Sequence, residues 1–336
     1  MTQQLVKQSV PLLDVKGLKK YFPSGSGLLF GKESQIVKAV DDLSFSVNEG
    51  ETLGIVGESG CGKSTMGRVI LQLQNATEGE VWFQGKDITK LRGKELRMLR
   101  KDIQIIFQDP FASLNERKTI GSMLSEIVRI HKIVPKSEEV SYIQGLLVDV
   151  GLDPEHYFRY PHEFSGGQRQ RVSIARALAV KPKLIICDEA VSALDVSVQA
   201  QILNLLQRLK KNYGFTYIFI SHDLSVVRHI SDRVGVMYLG RLVEIGDKKS
   251  IYQNPRHPYT KALFSAIPDI TETEKKRMIL KGDVPSPLNI PSGCRFHTRC
   301  PYAQDICKTQ DPQPLEVEEG HIASCHFIDI NNDLPQ

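Results

Sequence analysis

The fold is determined at residues 57–65, which read Gly57-Glu58-Ser59-Gly60-Cys61-Gly62-Lys63-Ser64-Thr65. This stretch follows an apolar run that ends at Val56 and precedes a predicted helix. Glycines let the backbone curl so that several N–H groups point at one anion, and the helix N-terminus adds its positive dipole end. Lys63 can bring a cation to the β- and γ-phosphates of a nucleotide, and Ser64 can offer a hydroxyl to Mg²⁺. We therefore predict that residues 57–65 form a phosphate-binding loop, called the phosphate loop below.

Two adjacent carboxylates follow a second apolar run. Asp188 and Glu189 come directly after Leu184-Ile185-Ile186-Cys187, a short continuous run typical of a strand buried on both faces. Like charges at a strand end are costly unless a cation lies nearby. Asp188 is therefore predicted to bind Mg²⁺, and Glu189 to act as the general base that deprotonates an attacking water.

Alternating strand and helix signals in the middle of the chain indicate an α/β fold with a parallel sheet covered by helices. The predicted strands and helices there include residues 184–187, 197–211 and 216–220. A closing hairpin is predicted through Gly240. After Asp247 the chain becomes rich in proline and cysteine, which predicts a separate C-terminal module.

Composition narrows the class of protein. The chain has 336 residues, of which 41% are hydrophobic and 24% charged, and this is an ordinary globular balance. The net charge is only +4, so it does not indicate the strongly basic surface of a nucleic-acid-binding protein, and we expect no nucleic-acid partner. No run of about 18 apolar residues suggests a transmembrane helix, and the first ten residues lack the apolar segment of an export signal. A cytosolic protein is expected.

Further motifs, in a fixed order, resemble those of ATP-binding subunits of ABC transporters. Residues 164–171, Phe-Ser-Gly-Gly-Gln-Arg-Gln-Arg, resemble the family signature with Phe in place of Leu. Ser192-Ala193-Leu194-Asp195 matches the D-loop, His222 the switch histidine and Gln108 the Q-loop glutamine. The motifs cover residues 12–246.

The resemblance implies an ABC-type nucleotide-binding domain over residues 1–246, with a mixed sheet and a helical subdomain at about 109–178. It also implies that two such subunits enclose two ATP molecules head to tail. ATP would contact the following phosphate-loop residues: Gly57, Ser59, Gly60, Cys61, Gly62, Lys63, Ser64 and Thr65. The partner's ATP would contact the signature residues Ser165, Gly166, Gly167 and Gln168, with Asp195 beside them.

Roles in hydrolysis follow from the same resemblance. His222 would hold the γ-phosphate and, with the base Glu189, position the water. Mg²⁺ would be bound by Ser64, Gln108 and Asp188. The aromatic residue that stacks on adenine is expected to be Phe22, with Tyr21 as the alternative.

Four cysteines cluster in the C-terminal module, 247–336, at Cys294, Cys300, Cys307 and Cys325. A cytosolic chain disfavours disulfides, so a metal site is expected. The wide spacing favours a [4Fe–4S] cluster, because zinc sites usually have shorter Cys-x2–4-Cys spacings. Zinc and four unrelated buried thiols are the alternatives.

The segment Asn254–Leu263 and the cysteines after it resemble the C-terminal extension of peptide-importer ATPases, in particular the F-type subunits of oligopeptide and dipeptide permeases. This resemblance implies a heterodimer with a D-type ATPase, two integral-membrane permease subunits and an extracytoplasmic solute-binding protein. The chain would then lie at the cytoplasmic face of the membrane and hydrolyse ATP to power import.

Other functions remain open from the sequence. The cargo could be nickel or another small solute, because nickel importers are close relatives of this group. A soluble ABC ATPase acting on nucleic acid or the ribosome is less compatible with one cassette and no basic stripe. An exporter ATPase and an ATP-using iron–sulfur redox protein are the remaining alternatives.

Overall fold

Two β-sheets form the framework of the chain in a computed structural model that describes residues 10–24, 35–109, 114–266 and 278–328. The strands of these ranges are β1 Leu13–Ser24, β2 Gln35–Val47, β3 Thr52–Val56, β4 Glu78–Phe83, β5 Lys86–Asp87, β6 Ile103–Ile106, β7 Leu184–Asp188, β8 Thr216–Ile220, β9 Arg233–Tyr238, β10 Arg241–Asp247, β11 Leu315–Glu318 and β12 His321–Ala323. The larger sheet has the order β11-β12-β10-β9-β3-β8-β7-β6, and the smaller has the order β2-β1-β4-β5.

The larger sheet is mixed, as predicted. Its central strands β6, β7, β8, β3 and β9 are parallel, whereas β10, β12 and β11 continue it antiparallel. All residues of β7 and β8 are buried. A strand covered on both faces needs apolar residues on both, and this explains the continuous apolar runs in the sequence.

The smaller sheet is antiparallel and joins segments far apart in the chain. β1 pairs with β2, with Leu13 opposite Val47 and Phe22 opposite Val37, and also with β4. The apolar runs at residues 36–40 and 43–47 belong to one strand, β2, whose pairing to β1 contains register shifts.

Helices cover the larger sheet. Within the described ranges they are α1 Lys63–Ile70, α2 Gly93–Asp102, α3 Ile120–Ile130, α4 Glu139–Asp149, α5 Gly166–Leu178, α6 Val196–Tyr213, α7 Leu224–Ile230, α8 Lys248–Gln253, α9 Pro258–Ser265 and α10 Asp305–Thr309. The helices α3, α4 and α5 lie within the segment predicted as a helical subdomain. None of the helices in the described part of the chain has the length and apolar character needed to cross a bilayer.

The hydrophobic core lies on both faces of the larger sheet. Along β7, Ile185 and Cys187 belong to the cluster that includes the helical subdomain, whereas Leu184 and Ile186 belong to the cluster that includes the smaller sheet. Successive strand residues point to opposite faces, so one strand supplies both clusters.

The segment after Asp247 is joined to the larger sheet. β12 pairs with β10, and Tyr259 and Phe296 pack in the main core. The buried carboxylate of Glu244, on β10, accepts hydrogen bonds from the His257 N–H at 2.9 Å and from His321 Nε2 at 2.7 Å. These contacts are between residues distant in sequence, so local composition does not reveal them.

Ile186→Ala should lower the free energy of unfolding by about 2–5 kcal/mol, because it removes a fully buried side chain from a strand packed on both faces. Val148→Ala is the matched control: its side chain is 56% exposed, and it should change stability by less than about 0.5 kcal/mol. Urea-induced unfolding followed by fluorescence of Trp82 measures both. Equal effects of the two substitutions would contradict the two-sided core.

Candidate functional site

The phosphate loop connects β3 to α1 in a conformation that only glycine adopts without strain. Gly57, Gly60 and Gly62 have positive φ angles of 151°, 79° and 106°. A Cβ atom at Gly57 would lie 2.2 Å from the carbonyl oxygen of Met237, and one at Gly62 would lie 2.1 Å from that of Ala39. The loop is therefore held against two neighbouring strands, and the N-terminus of α1 follows it directly.

Lys63 is folded back into the phosphate loop. Its ammonium group donates hydrogen bonds to the carbonyl oxygens of Gly57 at 2.7 Å and Glu58 at 3.1 Å, and its side chain is buried. Carbonyl dipoles thus stabilise a cation at the centre of the loop. The charge is placed where a phosphate bound by the loop would meet it.

Ser64 and Asp188 form a pair of oxygen ligands beside the loop. The Ser64 hydroxyl donates to Asp188 Oδ1 at 2.6 Å. Burial raises the pKa of the Asp188 carboxyl, because the charged form loses hydration. Carboxylate and hydroxyl oxygens are suited to Mg²⁺, a hard cation, so the donor set fits the predicted metal.

Glu189 and His222 lie together at the carboxyl ends of β7 and β8. Glu189 has a positive φ of 50°, and its N–H donates to the carbonyl oxygen of Ile220 at 3.0 Å. This turn directs its carboxylate to within 3.4 Å of His222 Nδ1. The structure thus brings together two of the three predicted catalytic residues. Gln108, the third, lies two residues after β6 with an exposed side chain.

The two adenine-stacking candidates lie on β1. The Tyr21 hydroxyl donates to Asp41, and burial raises the pKa of that hydroxyl. The Lys20 ammonium lies 4.8 Å from the centre of the Phe22 ring. The hydroxyl of Tyr21 is engaged in this hydrogen bond, whereas the Phe22 ring has no hydroxyl to engage. Phe22 therefore stays the predicted stacking residue, with Tyr21 as the alternative.

The signature residues begin helix α5. Ser165 caps the helix: its hydroxyl accepts from the Gln168 N–H at 3.3 Å, and Gln168 Oε1 accepts from the Ser165 N–H at 3.0 Å. A Cβ atom at Gly167 would lie 2.6 Å from Val198, so this glycine is required for packing against α6. Ser165 is exposed and available to a second molecule.

Asp195 caps α6, accepting from the Val198 N–H at 2.9 Å. Because Val198 also contacts Gly167, the D-loop and the signature lie side by side. A residue that sequence reasoning did not single out completes this region. Gln170 is fully buried and donates to the carbonyl oxygen of Ala190 at 2.7 Å, which links the signature helix to the residue after Glu189.

The four C-terminal cysteines line one small cavity, together with aromatic side chains such as Phe296 and Phe327. Burial raises the pKa of Cys294 to about 11 and that of Cys300 to about 12, so as plain thiols both are neutral. In the described part of the chain, no group of three or more His, Cys, Asp or Glu is arranged to hold a metal ion, so the geometry does not support the metal site expected from the sequence.

Comparisons with family models identify two regions. Residues 40–192 match the model for the ABC transporter family, and residues 243–307 match the model described as the oligopeptide/dipeptide transporter C-terminal region.

Several curated relatives match almost end to end. The oligopeptide transport ATP-binding protein AppF of Bacillus subtilis is 54% identical over 94% of this chain and 97% of its own length. The oligopeptide transport ATP-binding protein OppF of Salmonella typhimurium is 51% identical over 97% and 98%. The dipeptide transport ATP-binding protein DppF of Haemophilus influenzae is 48% identical over 96% and 99%.

Among solved structures, the dimeric post-hydrolysis state of the ATP-binding cassette MJ0796, bound to ADP and phosphate, is similar with a TM-score of 0.62 and 30% identity. The match covers 70% of this chain and 98% of that one. The structure of cbiO1 from Clostridium perfringens, part of the ABC transporter complex cbiONQ, is similar with the same TM-score and 27% identity, over 73% of this chain and 91% of that one.

The position of Glu189 leads to a direct test. Glu189→Gln removes the base but keeps the side-chain size, so ATP turnover of the assembled complex should fall at least about 100-fold, within the range expected for general-base catalysis. ATP binding should be retained. Glu95→Gln, at an exposed carboxylate on α2, is the control and should leave turnover unchanged. Unchanged turnover in Glu189→Gln would refute its role.

Proposed function

This chain belongs to the ABC transporter ATP-binding family, and from that premise we propose that it is the ATP-hydrolysing subunit of a bacterial importer of di- and oligopeptides. One observation carries the ATPase part. Lys63, the Ser64–Asp188 pair and the Glu189–His222 pair lie along one edge of the larger sheet, where the parallel strands end. The peptide part is supported by the names of the relatives, whose matches cover 94%, 97% and 96% of this chain.

ATP binding would replace contacts that the loop now makes with itself. Lys63 would release the carbonyl oxygens of Gly57 and Glu58 and contact the β- and γ-phosphates instead. Ser64, Asp188 and Gln108 would together hold Mg²⁺, whose positive charge offsets the negative charge of the phosphates. Phe22 would stack on the adenine.

Hydrolysis requires one proton acceptor and one oriented water. The Glu189 carboxylate takes a proton from water, whose oxygen attacks the γ-phosphorus as the bond to the ADP oxygen breaks. His222, 3.4 Å from Glu189, holds the γ-phosphate and keeps the carboxylate in position. The products are ADP and inorganic phosphate.

The exposed signature supplies the second half of another site. Ser165 and the N-terminus of α5 would bind the γ-phosphate held by a partner ATPase, since a helix start is an anion-binding end. We assign the partner as a D-type ATPase, which gives a heterodimer with Asp195 at its interface. Closure around ATP and reopening after hydrolysis would drive the membrane subunits between two states.

The other partners follow from an importer assembly. The helical subdomain, about 109–178, would dock on two integral-membrane permease subunits at the cytoplasmic face. An extracytoplasmic solute-binding protein would deliver the peptide. No nucleic-acid partner is proposed, because the charge of the chain is almost balanced.

We also propose that the cysteine cavity holds a [4Fe–4S] cluster. Four thiolates on one zinc ion lie roughly 3.8 Å apart, because each Zn–S bond is about 2.3 Å long. A four-iron cluster places iron and sulfide between the cysteines, so the four cysteine sulfurs lie farther apart than they do around one zinc ion. The observation behind this proposal is that the four cysteines line one cavity. Metal ligation there would supply stability to a segment with few strands of its own.

The transport function is tested with the whole complex in lipid vesicles. ATP turnover should rise severalfold when the solute-binding protein carries an oligopeptide, because substrate delivery favours dimer closure. Ser165→Arg should abolish that rise without weakening ATP binding to this chain, since Ser165 acts on the partner's nucleotide. Stimulation by nickel but not by peptide would refute the proposed cargo, and stimulation by RNA in the absence of permeases would refute the importer.

Cys300→Ala tests the metal site. Anaerobically purified protein should contain about four iron and four sulfide per chain, and Cys300→Ala should lose most of both and unfold at a lower temperature. Cys187→Ala removes a buried cysteine outside the cavity and should keep the iron. One zinc per chain, or no metal in the wild type, would contradict the cluster.

A further inference from the structure

Two arginines that lie beside the C-terminal cysteines contact residues next to the ATP site. Arg295 follows Cys294 and Arg299 precedes Cys300, and the side chains of both arginines are almost fully buried. We call this pair the arginine clamp. Its members contact residues that lie more than 200 positions earlier in the chain.

Arg299 binds the phosphate loop. It donates to both carboxylate oxygens of Glu58, from Nη1 at 2.7 Å and from Nη2 at 3.0 Å. The remaining polar groups of Glu58 are also engaged: its N–H donates to the Tyr259 hydroxyl at 3.0 Å, and its carbonyl oxygen accepts from Lys63. Two of these three partners come from the segment after Asp247. The C-terminal segment therefore determines the position of a loop residue next to the phosphate site.

Arg295 contacts strand β2, which pairs with β1, the strand that carries the two adenine-stacking candidates. It donates to the Asp41 carboxylate and to the Leu239 carbonyl oxygen. The same carboxylate accepts from the Tyr21 hydroxyl, and the Asp41 N–H donates to the Gly240 carbonyl oxygen at 2.9 Å. The clamp thus contacts both ends of the region where a nucleotide would lie.

The contact between Arg299 and Glu58 bears on ATP binding through the negative charge of Glu58. Glu58 places an anion in a loop that must accept phosphate, and like charges repel strongly where water is partly excluded. Arg299 offsets that charge with a bidentate, charge-assisted contact. Without Arg299 the carboxylate would be uncompensated and free to turn toward the phosphates.

We propose that the arginine clamp is a positioning device that couples the four-cysteine cavity to the ATP site, so that ATP affinity depends on whether the cavity is intact. This rests on the proposed function only in taking ATP as the ligand of the phosphate loop. Arg295 and Arg299 act through Asp41 and Glu58 and need not touch ATP themselves.

The test is equilibrium binding of a non-hydrolysable ATP analogue with Mg²⁺ to the purified full-length chain. Arg299→Gln should weaken binding about tenfold, the size expected when a charged hydrogen-bonding partner is lost. The double variant Glu58→Gln with Arg299→Gln should recover most of that loss, because the uncompensated anion is gone. Arg299→Lys should be intermediate, since lysine keeps the charge without the bidentate geometry.

Lys308→Gln is the matched control, because Lys308 adjoins Cys307 but pairs only with Asp305 at the surface among the contacts described. It should bind the analogue as the wild type does. Cys300→Ala should weaken binding severalfold, with the loss smaller once Glu58 is also Gln.

Each outcome is decisive. Wild-type binding in Arg299→Gln, no recovery in the double variant, or unchanged affinity in Cys300→Ala would overturn the coupling while leaving the ATPase intact. If Arg299→Gln does not fold, Arg299→Lys tests the same contact. Arg299→Lys should then bind the analogue more weakly than the wild type, and wild-type binding would overturn the proposal. Failure of the wild type to bind the analogue would instead refute the proposed function.

Discussion

The close contact between the phosphate loop and the strands beside it is the constraint on which the rest of the structure depends. Gly57 and Gly62 lie so near the backbone of β9 and β2 that no side chain fits. This contact fixes where α1 begins, and thereby the positions of Lys63 and Ser64. It also brings the two sheets together at one edge, since β2 belongs to the smaller sheet and β9 to the larger.

The central strands bring the remaining groups to the same edge. Because β8 pairs in parallel with β3, and β7 pairs in parallel with β8, the carboxyl ends of β7 and β8 deliver Asp188, Glu189 and His222 to the side where the loop lies. A single buried carboxylate, Asp188, is tolerated there because Ser64 donates to it and Mg²⁺ can bind it. The site is thus an outcome of strand order as much as of residue type.

The local parts of this arrangement could be predicted from the sequence. The strand β8 has the predicted bounds, and the helix α6 differs from its predicted range by one residue at its start and two at its end, because their residue patterns are governed by burial on neighbouring faces. Contacts between distant residues could not be predicted. Nothing near Arg299 indicates that it binds Glu58, since charged residues have no periodic pattern that reveals a partner 241 positions away. The joining of β12 to β10 was missed for the same reason, because strand pairing over such a separation is set by the packing of the whole chain.

Binding of the triphosphate of ATP by the phosphate loop can be measured by titration calorimetry. The full-length chain is titrated with ATP, ADP and AMP in the presence of Mg²⁺. We expect one nucleotide per chain, and we expect AMP to bind far more weakly than ATP, because Lys63 and Ser64 act on the phosphates beyond the first. AMP binding as tightly as ATP would contradict this expectation. An ATP affinity that is the same in Lys63→Ala as in the wild type would also contradict it.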